Sequence, residues 1–312
     1  MSRQPSETAE PEVRAGAEAE QQHLSALEKK EVINSGAVPF FVQMLTRDDC
    51  AQIQAVRALG KVAGDSAVFH EIVPAHDVKS ALQVLGQLID SQDEAVLSDA
   101  CSAISFMFDG CDDSKKIQAL IDVKVCPRLV ELLTHSSPTV VYPALSVVSR
   151  IANGNAAQIQ AVIDGNIIGP LVHLMQAAAY DDVKKEAAFA IANATDVGTP
   201  DQIEYLVSQG CIKAFCGILR YSETDILTAC LDGLANILGE GEDEEEEDDF
   251  NPYAQMIEDA GDFYEIDDLK NHHDGTVNDK ACSLVVTYWP DLYESVNGEV
   301  FDPSPPEGSN LG

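Results

Sequence analysis

Three stretches decide the fold: IQALIDVKVCPRLVELL (117–133), IQAVIDGNIIGPLVHLM (159–175) and IEYLVSQGCIKAFCGIL (203–219). Each has an apolar turn, a small or polar break, and an apolar helix ending in Leu or Met. Their last residues, 133, 175 and 219, are 42 and 44 apart. EVINSGAVPFFVQML (31–45) ends 88 residues before Leu133, two steps of 44, and a fainter copy, SALQVLGQLI (80–89), fills the gap.

Between these copies lie longer, Ala-rich helices: QIQAVRALGKVAG (52–64), VLSDACSAISFMFDG (96–110), VVYPALSVVSRIANG (140–154), VKKEAAFAIANATDVG (183–198) and ILTACLDGLANILGEG (226–241). Small and apolar residues recur three and four apart, as in Ala188, Ile191, Ala192 and Thr195. That pattern belongs to a helix buried around much of its circumference. Gly64, Gly110, Gly154, Gly198 and Gly241 stand where each helix ends and read as C-terminal caps. A period of 42–44 with two or three helices per repeat fits armadillo or HEAT architecture. One such repeat cannot bury its apolar face alone, so stacked neighbours supply the core. The expected fold is all-α, a right-handed armadillo-repeat superhelix (a solenoid) of about five to six repeats including a C-terminal cap.

Composition narrows function. The 312 residues carry 53 Asp and Glu against 19 Lys and Arg, a net charge of −34. Such a field repels nucleic acid and anionic membrane and attracts basic peptides. Residues 240–312 hold 22 acidic and 2 basic side chains. The eight cysteines form no C-x-x-C pair, and most sit in apolar helical runs, where a free thiol packs as a small hydrophobe. Their pattern points to a reducing compartment, and Asn193-Ala194-Thr195 is then not expected to be glycosylated. The first 30 residues contain no apolar signal core, and no stretch reaches 18 apolar residues.

The organisation expected along the chain begins with an N-terminal arm over 1–28, disordered or partly helical. Armadillo repeats follow over 29–239, then an acidic loop over 240–250 built on EGEDEEEEDD. A C-terminal capping repeat spans 251–290, with Tyr253, Met256, Ile257, Ile266, Leu269, Leu284 and Trp289 inside, and a disordered tail spans 291–312. The acidic run either solvates the chain or lies against Arg57, Lys61 or Arg150.

No metal-ligand spacing, phosphate-cradling glycine loop or nucleophile with partners stands out, so neither catalytic residues nor a cofactor nor a metal is assigned. His272-His273 reads as solvated surface, and Asp112-Asp113 and Asp181-Asp182 as acids at helix starts. What a solenoid offers instead is a groove lined by its third helices. Aligning them gives a ladder of Lys61, Phe106, Arg150, Asn193 and Asn236. Four residues earlier, on the same face, come Arg57, Ser102, Ser146, Phe189 and Asp232. Asparagines there suit the backbone of an extended peptide, and aromatic neighbours suit lysine stems.

At these helices the chain resembles the importin alpha family of nuclear-import adaptors. The closest stretches are RALGKVAGDS (57–66), KIQALIDVKVCPRLVELL (116–133), QIQAVIDGNIIGPLV (158–172), KKEAAFAIANAT (184–195), DQIEYLVSQGCIKAFCGIL (201–219), GLANIL (233–238) and NPYAQMIEDAG (251–261). With weaker matches they cover about residues 31–290. The resemblance implies an adaptor that binds lysine- and arginine-rich nuclear localisation signals of cargo proteins in an acidic groove, in cytoplasm and nucleus. It implies peptide-binding roles for Asp65, Glu186, Phe189, Asn193 and Asn236. Phe189 stands where the family pattern has Trp, and Asn193 and Asn236 match its ladder asparagines. It further implies contact of 251–290 with the nuclear export receptor. The alternative is a degenerate armadillo scaffold that binds another protein, with cargo binding lost.

Departures from the family pattern bear on that choice. Arg57 and Lys61 replace a Trp/Asn pair, and Arg150 replaces another Asn. Each places a cation where a basic peptide would lie, opposing it by up to ~4 kcal/mol at ~4 Å and an effective dielectric near 20, before screening. Around 70–82 and 150–156 the similarity jumps, as if parts of repeats were missing. The basic arm that recruits importin beta in the family has no counterpart in residues 1–28, whose basic residues are Arg3 and Arg14. Importin beta is therefore not an expected partner.

Overall fold

The computed structural model describes residues 26–45, 50–62, 75–108, 114–221, 223–241, 251–290 and 292. The arm before residue 26, the acidic run 242–250 and the tail beyond 292 lie outside them, as do Asp65, Gly64, Gly110 and Asp112-Asp113. The described residues are helical, with no strand among them, and fall into two compact units, Met1–Cys211 and Ile212–Gly312.

The first unit begins with α1 (Ala26–Asn34), α2 (Ala37–Leu45) and α3 (Cys50–Val62), followed by α4 (Ala75–Leu88) and α5 (Glu94–Met107). Two full triplets come next: α6 (Ser114–Asp122), α7 (Cys126–Leu133) and α8 (Pro138–Ala152), then α9 (Ala156–Asp164), α10 (Ile168–Ala177) and α11 (Asp181–Val197). α12 (Pro200–Ser208) closes it. The long helices α3, α5, α8 and α11 pack side by side in that order. Their small residues allow it: Ala100, Ala103, Ala144, Ala187, Ala188 and Ala190 have no accessible surface, and Ile191, Ala192 and Thr195 are buried as their spacing requires. At Gly60 the approach is closest. A Cβ there would lie 2.8 Å from the Asp99 carbonyl oxygen and 2.9 Å from the Asp99 Cα.

The break inside each repeat is a left-handed corner. Gly36, Lys124, Asn166 and Gly210 have φ of +75°, +61°, +56° and +87°. The last three are again 42 and 44 apart, so the backbone repeats with the sequence. Gly198 and Gly241 are the C-cap residues of α11 and α14, as expected, but neither is left-handed. Gly198 and Gly241 adopt φ of −66° and −84°, and α8 ends on Asn153 rather than Gly154. These glycines are required by crowding. A Cβ on Gly198 would lie 2.7 Å from the Ala194 carbonyl, one on Gly241 2.5 Å from Asn251 Oδ1, and one on Gly154 would collide with Gln158.

Neighbouring repeats are also tied by buried glutamines at helix starts. Asn155 caps α9, accepting from the Gln158 N–H, while Gln158 Oε1 accepts from the Asn155 N–H. Gln158, 1% exposed, also donates from Nε2 to the Ser114 carbonyl at 2.6 Å, one repeat earlier. Gln202 does the same one repeat later, accepting from the Thr199 N–H at 3.1 Å and donating to the Ala156 carbonyl at 2.9 Å. A buried amide must find partners, and these find them across the repeat boundary.

The second unit takes in α13 (Cys211–Ile218) from Ile212 onward, α14 (Thr224–Glu240), α15 (Pro252–Ala260), α16 (Phe263–Asp268), a 3-10 turn (Leu269–Asn271) and α17 (Gly275–Tyr288). Asn251 caps α15, accepting from the Tyr253 and Ala254 N–H groups, and reaches back to donate to the Leu238 carbonyl at 2.6 Å. The Phe215 ring sits against Gly233, where a Cβ would lie 2.5 Å from Cζ. Ile257, Ile266, Leu269, Leu284 and Trp289 are buried, and Trp289 meets Phe263 at 5.4 Å between ring centroids. Tyr253 is half-buried. Met256 departs from expectation: it is 48% exposed, because α15 turns Ala254 and Ile257 inward and Met256 falls off that face.

Candidate peptide-binding face

On α11 the spacing 182, 186, 189, 193 puts Asp182, Glu186, Phe189 and Asn193 along one side of the helix. Glu186, Phe189 and Asn193 are all half-buried, and Asp182 is exposed. The opposite side carries Ala187, Ala188, Ile191 and Ala194 into the core. The adjoining α8 presents Tyr142, Ser146 and Arg150 at successive turns, and Ser146 Oγ donates to the Tyr142 carbonyl at 3.2 Å. Tyr142 is 43% exposed.

The two helices share one electrostatic neighbourhood. Burial lifts the Tyr142 phenol above its ordinary value of 10, and the Glu186 and Asp182 carboxylates lift it further; Arg150 and Lys185 oppose them. An exposed aromatic ring within the electrostatic reach of two carboxylates suits a lysine or arginine side chain, stem on the ring and charge towards the acids. Among the described residues Glu186 makes no ion pair.

The neighbouring acids on equivalent helices are occupied from within. In the first unit Arg57 Nε lies 3.9 Å from Asp99 Oδ2, joining α3 to α5. In the second unit Lys280 of α17 bonds to Asp232 of α14. Asp99, Glu186 and Lys280 are each the sixth residue of their helices.

The structure thus places Glu186, Phe189 and Asn193 on one partly open face of α11, and Asn236 half-buried on α14 in the second unit. Asp65 and the side chain of Lys61 lie outside the described residues. Phe106, a ladder position by alignment, is 2% exposed and belongs to the core, since a large apolar ring gains more there than at the surface. Arg57 is no unbalanced cation, because Asp99 answers it. Sequence reading passed over Tyr142, although it stands one turn before Ser146. It also passed over Asp99 and Lys280, whose importance comes from the helix packed alongside.

The cysteines read as core are core. Cys101, Cys126, Cys211, Cys216 and Cys230 are buried, and burial pushes the Cys101 thiol up to about 12. His272 and His273 stack at 4.3 Å on the surface, and no metal-holding cluster is found among the described residues. No described helix is long and apolar enough to cross a membrane.

A family model for the armadillo/beta-catenin-like repeat matches residues 113–153, 155–196 and 199–239. Importin subunit alpha-1b of Oryza sativa subsp. japonica is 39% identical over 345 residues, covering 83% of this chain and 64% of the relative. That span exceeds the 312 residues here, so segments of the relative face gaps in this chain. Importin subunit alpha-8 of Arabidopsis thaliana is 32% identical, covering 83% of this chain and 76% of the relative. The chain spans only 49% of a second Arabidopsis relative, importin subunit alpha-4. Among solved structures, a designed armadillo repeat protein in complex with the peptide (KR)4 superposes with a TM-score of 0.67 at 28% identity, covering 80% of this chain and 99% of that one. Designed armadillo repeat proteins for modular peptide recognition give 0.68 at 28% identity. With its repeats, its helical triplets and these relatives, the chain belongs to the importin alpha family of armadillo-repeat proteins.

Proposed function

We propose that this protein is a binding scaffold, not an enzyme, that takes lysine- and arginine-rich signal peptides along the third-helix face of its repeats for import into the nucleus. One observation carries the reading: Glu186 makes no ion pair among the described residues and shares a partly open face with Phe189 and Asn193, beside the exposed ring of Tyr142. Asn193 offers an amide to the peptide backbone, Phe189 and Tyr142 offer rings to basic stems, and Glu186 offers the charge. Asn236 offers the same chemistry on α14 in the second unit, and Asp65, outside the described residues, is a further acid that the resemblance assigns to the peptide. The relatives' names and the basic peptide held by the designed structure agree with this reading. Shuttling between cytoplasm and nucleus, with 251–290 facing an export receptor, follows from it.

The test is a titration of the full chain with a fluorescent lysine/arginine-rich octapeptide at low and physiological salt. Micromolar or tighter binding is expected, weakened at least tenfold by Glu186→Lys. An absence of binding at any salt overturns the proposal and leaves the scaffold with a different protein partner.

A further inference from the structure

The bond between Lys280 and Asp232 has a counterpart inside the protein. In the first unit, Arg57 sits four residues before the ladder position of α3 and bonds to the sixth residue of the next long helix, Asp99. In the second unit, Asp232 sits four residues before Asn236 and bonds to the sixth residue of the next long helix, Lys280. The geometry is shared and the polarity is reversed. On α11 the same sixth position holds Glu186, and the helix before it holds neutral Ser146, so that acid stays open. The pair of positions is the same in both units, but the acid stands on the ladder helix only at Asp232, which is therefore the acid placed to take a basic group from outside.

We propose that Lys280 is a built-in occupant of a basic-side-chain subsite on α14 whose acceptor is Asp232. This rests on the reading of the third-helix faces as sites for basic peptides, and it names the one in the second unit that the chain fills itself. Lys280 delivers its ammonium to Asp232 as a cargo lysine would, and Asn236 lies one turn further along the same helix. A basic side chain docking on α14 meets a carboxylate already neutralised. The ion pair is partly exposed, with 47% of the Asp232 side chain and 35% of Lys280 open to solvent. Pairs so placed contribute little to folding, so Lys280 can be displaced or replaced without loss of the helix beneath it. The subsite takes the lysine or arginine side chain of an extended peptide.

The experiment compares the full chain with Lys280→Gln, Lys280→Gln/Asp232→Asn, Glu186→Lys and Lys213→Gln. Lys213 is an exposed lysine off the ladder, so its variant controls for the change in net charge. Each is titrated with the fluorescent octapeptide, and each is melted. Lys280→Gln is expected to tighten binding about fivefold at low salt, the scale of one solvent-exposed charge pair, with little change in melting temperature. The double variant and Lys213→Gln should show no such gain. A Lys280→Gln affinity equal to or weaker than the parent's overturns the inference, as does a gain that survives Asp232→Asn. Weakening by Glu186→Lys without a gain in Lys280→Gln would sink this inference alone. No binding by any variant would overturn the groove reading as well.

Discussion

Arg57 Nε stands 3.9 Å from Asp99 Oδ2 because Gly60 lets α3 settle against the backbone of α5. The pair and the glycine act together: the missing side chain brings the helices close, and the closeness brings the charges into range. Arg57 would otherwise repel a basic peptide. Paired, it presents a nearly neutral surface, and on the proposed reading it is Glu186 that attracts a basic peptide in the first unit.

Gly60→Ala should therefore cost stability out of proportion to one methyl. Its Cβ meets backbone atoms, which cannot swing aside as a side-chain tip would. A loss of about 1–3 kcal/mol is expected, the usual scale for overpacking, read from urea denaturation. A variant as stable as the parent would mean that α3 does not pack this closely.

The ion pair itself should be worth little. With 42% of the Arg57 side chain exposed, a double-mutant cycle of Arg57→Ala and Asp99→Asn is expected to return a coupling below about 1 kcal/mol. Its effect should appear in binding instead. Asp99→Asn leaves Arg57 unanswered and should weaken the octapeptide, whereas Arg57→Ala should strengthen it.

Gln158 bridges two repeats through its amide and is almost wholly buried. Gln158→Leu removes the donor to Ser114 and the acceptor for the Asn155 N–H together. A cost of about 1–3 kcal/mol per stranded backbone group is expected. Hydrogen exchange should report faster opening at the start of α9 and at Ser114. Unchanged protection at Ser114 would contradict the bridge.

Alkaline stability follows from the buried thiols. Cys101 has an ordinary value of 9.0 raised to about 12 by burial. Below pH 9 the folded and unfolded chains both keep the proton, so the thiol adds no pH dependence. Above pH 9 the unfolded chain releases it and the folded chain does not, so unfolding gains ground until the folded thiol ionises near 12. Each pH unit in that window costs on the order of 1 kcal/mol from this group. Urea midpoints measured from pH 8 to 11 should fall, and Cys101→Ala should fall less steeply. Equal slopes would show that Cys101 is not the cause.

Tyr142 provides a spectroscopic handle. Its phenol ionises above the ordinary 10, held up by burial, Glu186 and Asp182. Ultraviolet titration of the parent and of Tyr142→Phe should isolate one late-ionising tyrosine, which Glu186→Gln shifts downward. Tyr142→Ala should weaken the octapeptide several-fold, and Tyr142→Phe should not, since the ring and not the hydroxyl carries the stem.

Much of the fold was legible because stacking forces one pattern on the sequence and the backbone alike. The steps of 42 and 44 between apolar endings recur in the corners at Lys124, Asn166 and Gly210. An all-helical solenoid, armadillo or HEAT, and the buried stripe of Ala188, Ile191 and Thr195 follow from periodicity, and the family resemblance singles out armadillo. The caps were harder. Gly154, Gly198 and Gly241 carry the mark of a helix end, but each is small because another atom lies in the way, and sequence does not show which atom. The face on α11 was legible because Glu186, Phe189 and Asn193 lie on one helix. Tyr142, Asp99 and Lys280 matter through helices packed alongside, and no spacing within one helix records that.

The junction near 150–156, where the sequence resemblance to the family jumps, is closed by its own bonds. α8 ends on Asn153, Asn155 caps α9, and Asn155 Nδ2 and Gln158 both reach Ser114. A repeat bonded only to its neighbours can be excised if the new neighbour offers the same carbonyl in the same place. Evolution can then edit such a protein by length, removing a rung without redesigning the rest. What changes is the spacing a ligand must match: a shortened ladder reads a shorter word.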